Sequence, residues 1–280
     1  MRIIVTGAKG QLGSDVMQRL SEIGAEAIGA DIDRLDITDE KAVDLFFKEN
    51  RADGVIHCAA YTNVDLAESQ KEICRKINAD GTRNIAAACE KYGMKLLYLS
   101  TDYVFDGRGT VPFETDSPKA PCNFYGETKL EGETEAARLC KRLFIVRISW
   151  VFGENGKNFV KTMLRLAAER SEISVVCDQT GSPTYTKDLA VLLCEMISGC
   201  KYGVYHATNE GICSWAEFAD KIMELSKSET KIIPIPSSQY KSAAVRPANS
   251  RLSKSSLDRN GFSRLPHWED ALQRFLGNEK

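Results

Sequence analysis

Short runs of aliphatic and β-branched residues alternate with longer stretches of helical periodicity through the first half of the chain. The short runs predict strands over residues 2–6, 26–30, 54–58, 95–100 and 143–148, and the intervals predict helices near 11–23, 40–49, 71–92 and 124–139. Gly54-Val55-Ile56-His57-Cys58-Ala59 is apolar almost without interruption rather than alternating. A parallel strand covered on both faces has that pattern, and strand–helix alternation is the signature of a parallel sheet with crossover helices. After residue 150 the pattern loosens. Strand-like pieces at 173–177, 203–207 and 231–236 mix with helices at 187–198 and 215–225, and the Pro- and Ser-rich stretch 234–238 reads as loop. These elements predict an α/β fold with a doubly wound parallel sheet over residues 1–150. A smaller C-terminal lobe over 151–280 follows, some of whose segments return to the first domain.

The first turn carries chemistry. Gly7-Ala8-Lys9-Gly10-Gln11-Leu12-Gly13 follows the first strand at once and opens a helix. Glycines let the backbone turn tightly and approach a pyrophosphate, and the helix N-terminus offers free N–H groups and partial positive charge to that anion. Three glycines alone are a weak signal, but their place between a first strand and a first helix makes dinucleotide binding on a Rossmann sheet the expectation. Asp31, at the end of the second strand, suits a free ribose 2′-hydroxyl, whereas Arg34 suits a 2′-phosphate. The two pull in opposite directions, so both coenzymes are expected to work, with NADPH modestly preferred and NADH usable.

Composition narrows the partners. A hydrophobic share of 43% with 27% charged residues is ordinary for a globular protein, and a formal net charge of −2 argues against a nucleic-acid partner. No run approaches the roughly 20 apolar residues that cross a bilayer, and the start reads as a strand rather than a signal peptide. Nine cysteines without a CxxC pair, and three scattered histidines, suit reduced thiols in a cytoplasm and assign no metal ligands.

Tyr125-Gly126-Glu127-Thr128-Lys129 puts a phenol and an ammonium four residues apart on one helical face. A tyrosine exchanges protons poorly near neutral pH, and a neighbouring cation is expected to draw its pKa toward the working range. Thr101 follows the fourth strand, and open α/β sheets bind ligands at the carboxyl ends of strands. There its hydroxyl would meet a substrate carbonyl beside the tyrosine.

Several of these stretches resemble the motifs of the dTDP-4-dehydrorhamnose reductase family within the extended short-chain dehydrogenase/reductases. They are Gly10-Gln11-Leu12-Gly13, Leu35-Asp36-Ile37-Thr38-Asp39, the run from Ala59 to Glu68, Ser100 to Gly107, Tyr125 to Lys129, Arg147 to Gly153, and Arg246 to Ser250. The resemblance covers nearly the whole chain and implies a reductase acting on a dTDP-sugar. It implies Thr101, Tyr125 and Lys129 as catalytic residues, and Gly7, Gly10, Gln11 and Leu12 at the pyrophosphate. Asp36 and Ile37 would lie near the adenine, and Ala59, Ala60 and Tyr61 would line the coenzyme cleft. The sugar would meet Thr101, Asp102 and the Trp150 ring, and Arg246 would hold diphosphate oxygens. Taken as pattern alone, Trp150 is equally readable as a core aromatic. A homodimeric assembly is left open. Rival readings are another sugar-nucleotide reductase, a dehydratase or epimerase of the same scaffold, and a coenzyme-binding regulatory subunit like that of methionine adenosyltransferase. Tyr103, standing where such a dehydratase has a glutamate, argues against elimination.

Overall fold

A computed structural model of the protein describes residues 1–278. The first half runs β1 (Arg2–Thr6), α1 (Gln11–Glu22), β2 (Glu26–Ala30), α2 (Glu40–Glu49), β3 (Gly54–His57), α3 (Val64–Ala67), α4 (Lys71–Arg75), a π-helical turn (Lys76–Gly81), α5 (Thr82–Tyr92), β4 (Lys95–Thr101), α6 (Phe124–Leu139) and β5 (Leu143–Ile148). The second half runs β6 (Val151–Phe152), α7 (Phe159–Ala167), β7 (Glu172–Val176), β8 (Thr180–Gly181), β9 (Thr184–Tyr185), α8 (Thr186–Ser198), β10 (Gly203–His206), β11 (Asn209–Glu210), β12 (Cys213–Ser214), α9 (Trp215–Ser226), β13 (Lys231–Ile235), β14 (Asn249–Ser250), α10 (Ser255–Arg259), β15 (Leu265–His267) and α11 (Trp268–Asn278).

Six parallel strands form the central sheet in the order β10-β5-β4-β3-β1-β2. Successive strand residues face opposite ways, and both faces are buried. Ile3, Val5, Ile56, Leu97 and Phe144 pack with Leu12, Val16, Leu189 and Leu193 on one side. On the other, Ile4, Val55, Leu96, Tyr98 and Ile145 pack with Val43, Phe47, Ile85 and Ala136. Each buried Val, Leu, Ile or Phe among them stabilises the fold by roughly 1.5–3 kcal/mol relative to exposure. The chain leaves β1 toward β2 on one side and β3 on the other, and a ligand cleft opens at such a switch point. A separate cluster including Phe152, Val160, Tyr185, Phe218, Ile222, Trp268 and Phe275 forms the core of the second lobe.

Several elements differ from the pattern reading. The stretch 71–92 is not one uniform helix: its middle widens into the π turn, which places Asn78 against Tyr61 and α6. One wide turn leaves the apolar spacing nearly unchanged, so periodicity is blind to it. Pro234 and Ile235 belong to β13 rather than a loop, paired in parallel with β7. The sheet there has only two strands, so the missing proline N–H can face outward. The short α3 and the helices α7, α10 and α11 were not anticipated. β3 stops at His57, α1 at Glu22, and β4 extends through Thr101. Among the described residues no helix is long and apolar enough to cross a membrane.

Candidate active site

A cavity of about 1130 Å³ runs along the carboxyl ends of β1, β3, β4 and β5. At one end the Gly7–Leu12 loop forms its floor. Gly7 has φ +64, and a Cβ there would lie 2.8 Å from the Ala59 backbone, so only glycine fits. Its N–H donates to Ala30 O at 2.8 Å, tying the loop to β2. No side chain caps Gly10, and the first-turn N–H groups of a helix have no acceptor within it. Those of Gln11 and Leu12 therefore face the cleft as an anion cradle. The residues present thus fit a dinucleotide.

Asp31, Asp36 and Ile37 line the same end, as do Ile32 and Lys9. Asp31 is already engaged, accepting from Lys9 N at 2.9 Å and Ile32 N at 2.9 Å. The Lys9 ammonium, largely exposed, reaches Asp33 at 2.7 Å. Arg34 does not line the cavity: its guanidinium donates to Gly29 O at 2.7 Å and lies 6.0 Å from the centre of the Phe46 ring. Ala59 and Ala60 line the middle of the cleft, but Tyr61 turns away, donating from its hydroxyl to Gln70 Oε1 at 2.8 Å.

Thr101, Asp102, Tyr125 and Lys129 converge at the inner end. Asn123 caps α6 through Gly126 N at 2.8 Å, and Glu68 accepts from Phe124 N at 2.8 Å, which fixes the turn bearing Tyr125. Burial pushes the Tyr125 phenol above its ordinary range, the Asp102 charge adds to the rise, and the Thr101 hydroxyl counters part of it. The expected lowering by Lys129 is therefore absent. The Lys129 ammonium is turned to Leu99 O at 2.7 Å and lies 4.2 Å from the Tyr98 ring centre. Burial lowers its pKa to about 7, against the opposing pull of Glu133. The Asp102 carboxyl is raised to about 6 by burial, with the Ser250 and Thr101 hydroxyls pulling it back. Thr101 Oγ1 donates to its Oδ1 at 3.0 Å, while its buried Oδ2 meets no donor at hydrogen-bond geometry among the described residues.

Trp150 also lines the cavity, and its indole stacks on Trp215 with ring centres 3.8 Å apart and planes at 15°. Its φ of +49 is a left-handed conformation that bulky residues rarely adopt, and its carbonyl is held by Thr184 N at 3.1 Å. It therefore belongs at once to the cleft wall and to the edge of the second core. Arg246 lies outside the cavity lining, its planar fork paired with both Asp65 oxygens at 3.2 and 2.7 Å. Pattern reading missed Lys9, Lys76 and Lys157 on the cleft wall, Asn78 behind it, and the edge-on contact of Tyr103 with Tyr125 at 5.6 Å. Only Lys9 and Tyr103 lay inside recognised motifs.

The chain matches the family model described as RmlD substrate binding domain over residues 1–280. It is 41% identical over 275 residues to the spore coat polysaccharide biosynthesis protein SpsK of Bacillus subtilis (strain 168), covering 98% of this chain and 96% of that protein. It is 37% identical to the dTDP-4-dehydrorhamnose reductase of Burkholderia thailandensis, covering 97% of each. The crystal structure of dTDP-4-dehydrorhamnose reductase from Bacillus anthracis in complex with NADP superposes with a TM-score of 0.97 at 44% identity, covering 99% of each chain. With the fold, the glycine cradle and the Thr101–Tyr125–Lys129 cluster already in place, these full-length matches make the chain a member of the RmlD substrate binding domain family.

Proposed function

We propose that the protein reduces the 4-keto group of dTDP-4-dehydro-6-deoxy-L-mannose to give dTDP-L-rhamnose, using NADPH by preference and NADH as a usable alternative. The observation that carries this reading is the meeting of Thr101, Asp102, Tyr125 and Lys129 at one end of a cleft whose other end is the glycine cradle. In this reading Gly7, Gly10, Gln11 and Leu12 hold the pyrophosphate, Asp31, Asp36 and Ile37 surround the adenosine, and Ala59 and Ala60 line the path between. Bound there, the coenzyme supplies the hydride, chemistry that is its own rather than the protein's. Thr101 orients the carbonyl oxygen, and the Asp102 carboxyl accepts from a sugar hydroxyl. Tyr125, kept protonated by its raised pKa, gives its proton to the developing alkoxide. Lys129, on the cleft wall, supplies a positive charge placed to hold the nicotinamide ribose. Trp150 offers a ring face to the apolar side of the sugar.

The test is oxidation of NADPH by the purified chain with the keto sugar and no partner. Tyr125→Phe is expected to lower kcat by about 10²–10⁴ while coenzyme affinity stays within a few-fold. Near wild-type turnover in that variant removes Tyr125 from the acid role. Coenzyme binding without turnover in the wild type would favour a regulatory binding module instead. A cytoplasmic location and a homodimer belong to the same reading. The first is supported by nine free cysteines, and the second is checked by sedimentation.

A further inference from the structure

Four residues beyond Lys129 on α6 stands a second buried charge, one that the reaction as described leaves without a role. Glu133 and Arg147 are both buried. Arg147, on β5, donates from Nε to Glu133 Oε1 at 2.8 Å and from Nη2 to Oε2 at 2.7 Å, a planar two-point pair. Ser100, on β4, donates to Oε1 at 2.5 Å. The remaining Arg147 nitrogen donates to Thr115 O at 2.9 Å and faces His206 Nε2 at 3.3 Å. One carboxylate thereby joins α6, β4 and β5. Buried ion pairs cost much desolvation and often stabilise no better than apolar residues of the same volume. A pair placed here calls for a reason other than stability.

Its neighbours supply one. Ser100 directly precedes Thr101. Lys129 lies one helical turn before Glu133, on the same face. The ammonium has the Leu99 carbonyl and the Tyr98 ring as its close partners, and neither carries a full negative charge. The titratable groups that face it are His57 and Cys58 at the end of β3, Cys74 on α4, Tyr98 on β4 and Glu133 on its own helix. Burial holds His57 down to about 3 and Cys58 up to about 12, and it raises Cys74 and Tyr98, so all four are neutral near neutral pH. That leaves Glu133, held two-point by the Arg147 guanidinium, as the carboxylate among them.

We infer that Glu133 is a positioning residue for proton transfer. Held by Arg147 and Ser100, it fixes the end of β4 that carries Thr101 and supplies the negative field that keeps the buried Lys129 ammonium charged. The part concerning turnover rests on the reductase reading; the part concerning Lys129 does not.

The experiment compares wild type with Glu133→Gln, which keeps the side chain's shape and removes its charge. Two readouts are taken: the Lys129 titration in the coenzyme-free full chain, followed by NMR of labelled lysine, and the pH dependence of kcat/KM for NADPH. The Lys129 midpoint and the alkaline limb should both move down by about one pH unit, a tenfold change in protonation equilibrium. Ser100→Ala, which removes one neutral hydrogen bond and keeps both charges, should leave the Lys129 midpoint in place. An unchanged Lys129 midpoint in Glu133→Gln, whatever its melting temperature, overturns the inference and makes the pair purely structural. If Glu133→Gln fails to fold, Arg147→Met is compared with Arg147→Met/Glu133→Gln; the two differ only at Glu133, and an equal Lys129 midpoint in both is equally fatal. A wild-type chain without turnover sinks the reductase reading, whereas a shifted midpoint would still support the electrostatic role of Glu133.

Discussion

Burial shifts an ammonium and a carboxyl of this cleft toward neutrality from opposite directions. Burial brings Lys129 down to about 7 and Asp102 up to about 6. In the proposed reaction the lysine works as the cation and the aspartate as the anion. Below about 6 the Asp102 carboxyl takes up a proton and loses an acceptor; above about 7 Lys129 becomes a neutral amine. The kcat/KM profile for NADPH, which reports the free enzyme, should therefore be a bell falling on both sides of this narrow window. Asp102→Asn should abolish the acid limb and leave the alkaline one, as initial rates between pH 5 and 9 will show. Coenzyme choice is also settled residue by residue. Arg34 is occupied with Gly29 O and the Phe46 face, whereas Lys9 stands on the cleft wall beside Asp31. Lys9→Ala should raise the KM for NADPH more than that for NADH, and Arg34→Ala should move both little. Equal effects of Lys9→Ala on the two coenzymes would remove it from the 2′-phosphate.

α6 shows how one element carries several duties. Asn123 ends the preceding loop, caps Gly126 N, and donates through Nδ2 to Val245 O at 2.8 Å. The same side chain thus fixes the first turn, where Tyr125 sits, and anchors the segment that bears Arg246. Asn123→Ala should lose about 1 kcal/mol of stability and lower kcat as well, because the phenol is no longer held by a capped turn. Asn123→Asp keeps the capping acceptor and should recover most of the melting temperature but not the Val245 tie. Melting curves beside initial rates separate the two duties. The π turn is the second such element, setting Asn78 between the Tyr61 backbone and Thr128 of α6. Wide turns of this kind recur at functional sites.

Across the whole molecule, the second lobe meets the cleft at Trp150, and the segment that follows Arg246 brings Ser250 to Asp102. Trp150 rests on Trp215, which packs against Phe159 at 4.5 Å and so against the second core. Trp150→Ala is expected to lower the melting temperature through lost packing whatever its role, so a melt alone does not separate platform from core. Coenzyme affinity does. A sugar platform predicts lower kcat and higher sugar KM with coenzyme binding intact, since a rocking sugar misaligns its carbonyl. Weakened coenzyme binding would sink that role. Arg246 must exchange Asp65 for diphosphate oxygens if it binds substrate. Arg246→Ala should then raise the sugar-nucleotide KM about tenfold, the equivalent of one charge-assisted hydrogen bond, with kcat little changed. Asp65→Ala should raise it less. Equal effects of the two would make the pair a strap for the loop.

Local pattern was enough for the parallel sheet, because strands buried on both faces need continuous apolar runs and glycines at the first turn admit no substitute. It was enough for the Tyr125–Lys129 pair, because a four-residue spacing on a helix fixes a shared face. It fell short where partners are distant in sequence. That Arg34 turns back on its own strand, that Arg246 is spent on Asp65, and that Lys129 faces Leu99 rather than lowering the Tyr125 pKa all depend on which side chains tertiary packing brings together. Of the helices that went unseen, α10 spans only five residues, too few for periodicity to resolve, whereas α7 and α11 span nine and eleven and carry a legible apolar face. The environment of each charge was likewise decided only in three dimensions. Desolvation depends on everything packed around a group, and the groups that act on Asp102, Tyr125 and Lys129 come from the loop after β3, from β4 and its end, from α4 and α6, and from the distant β14.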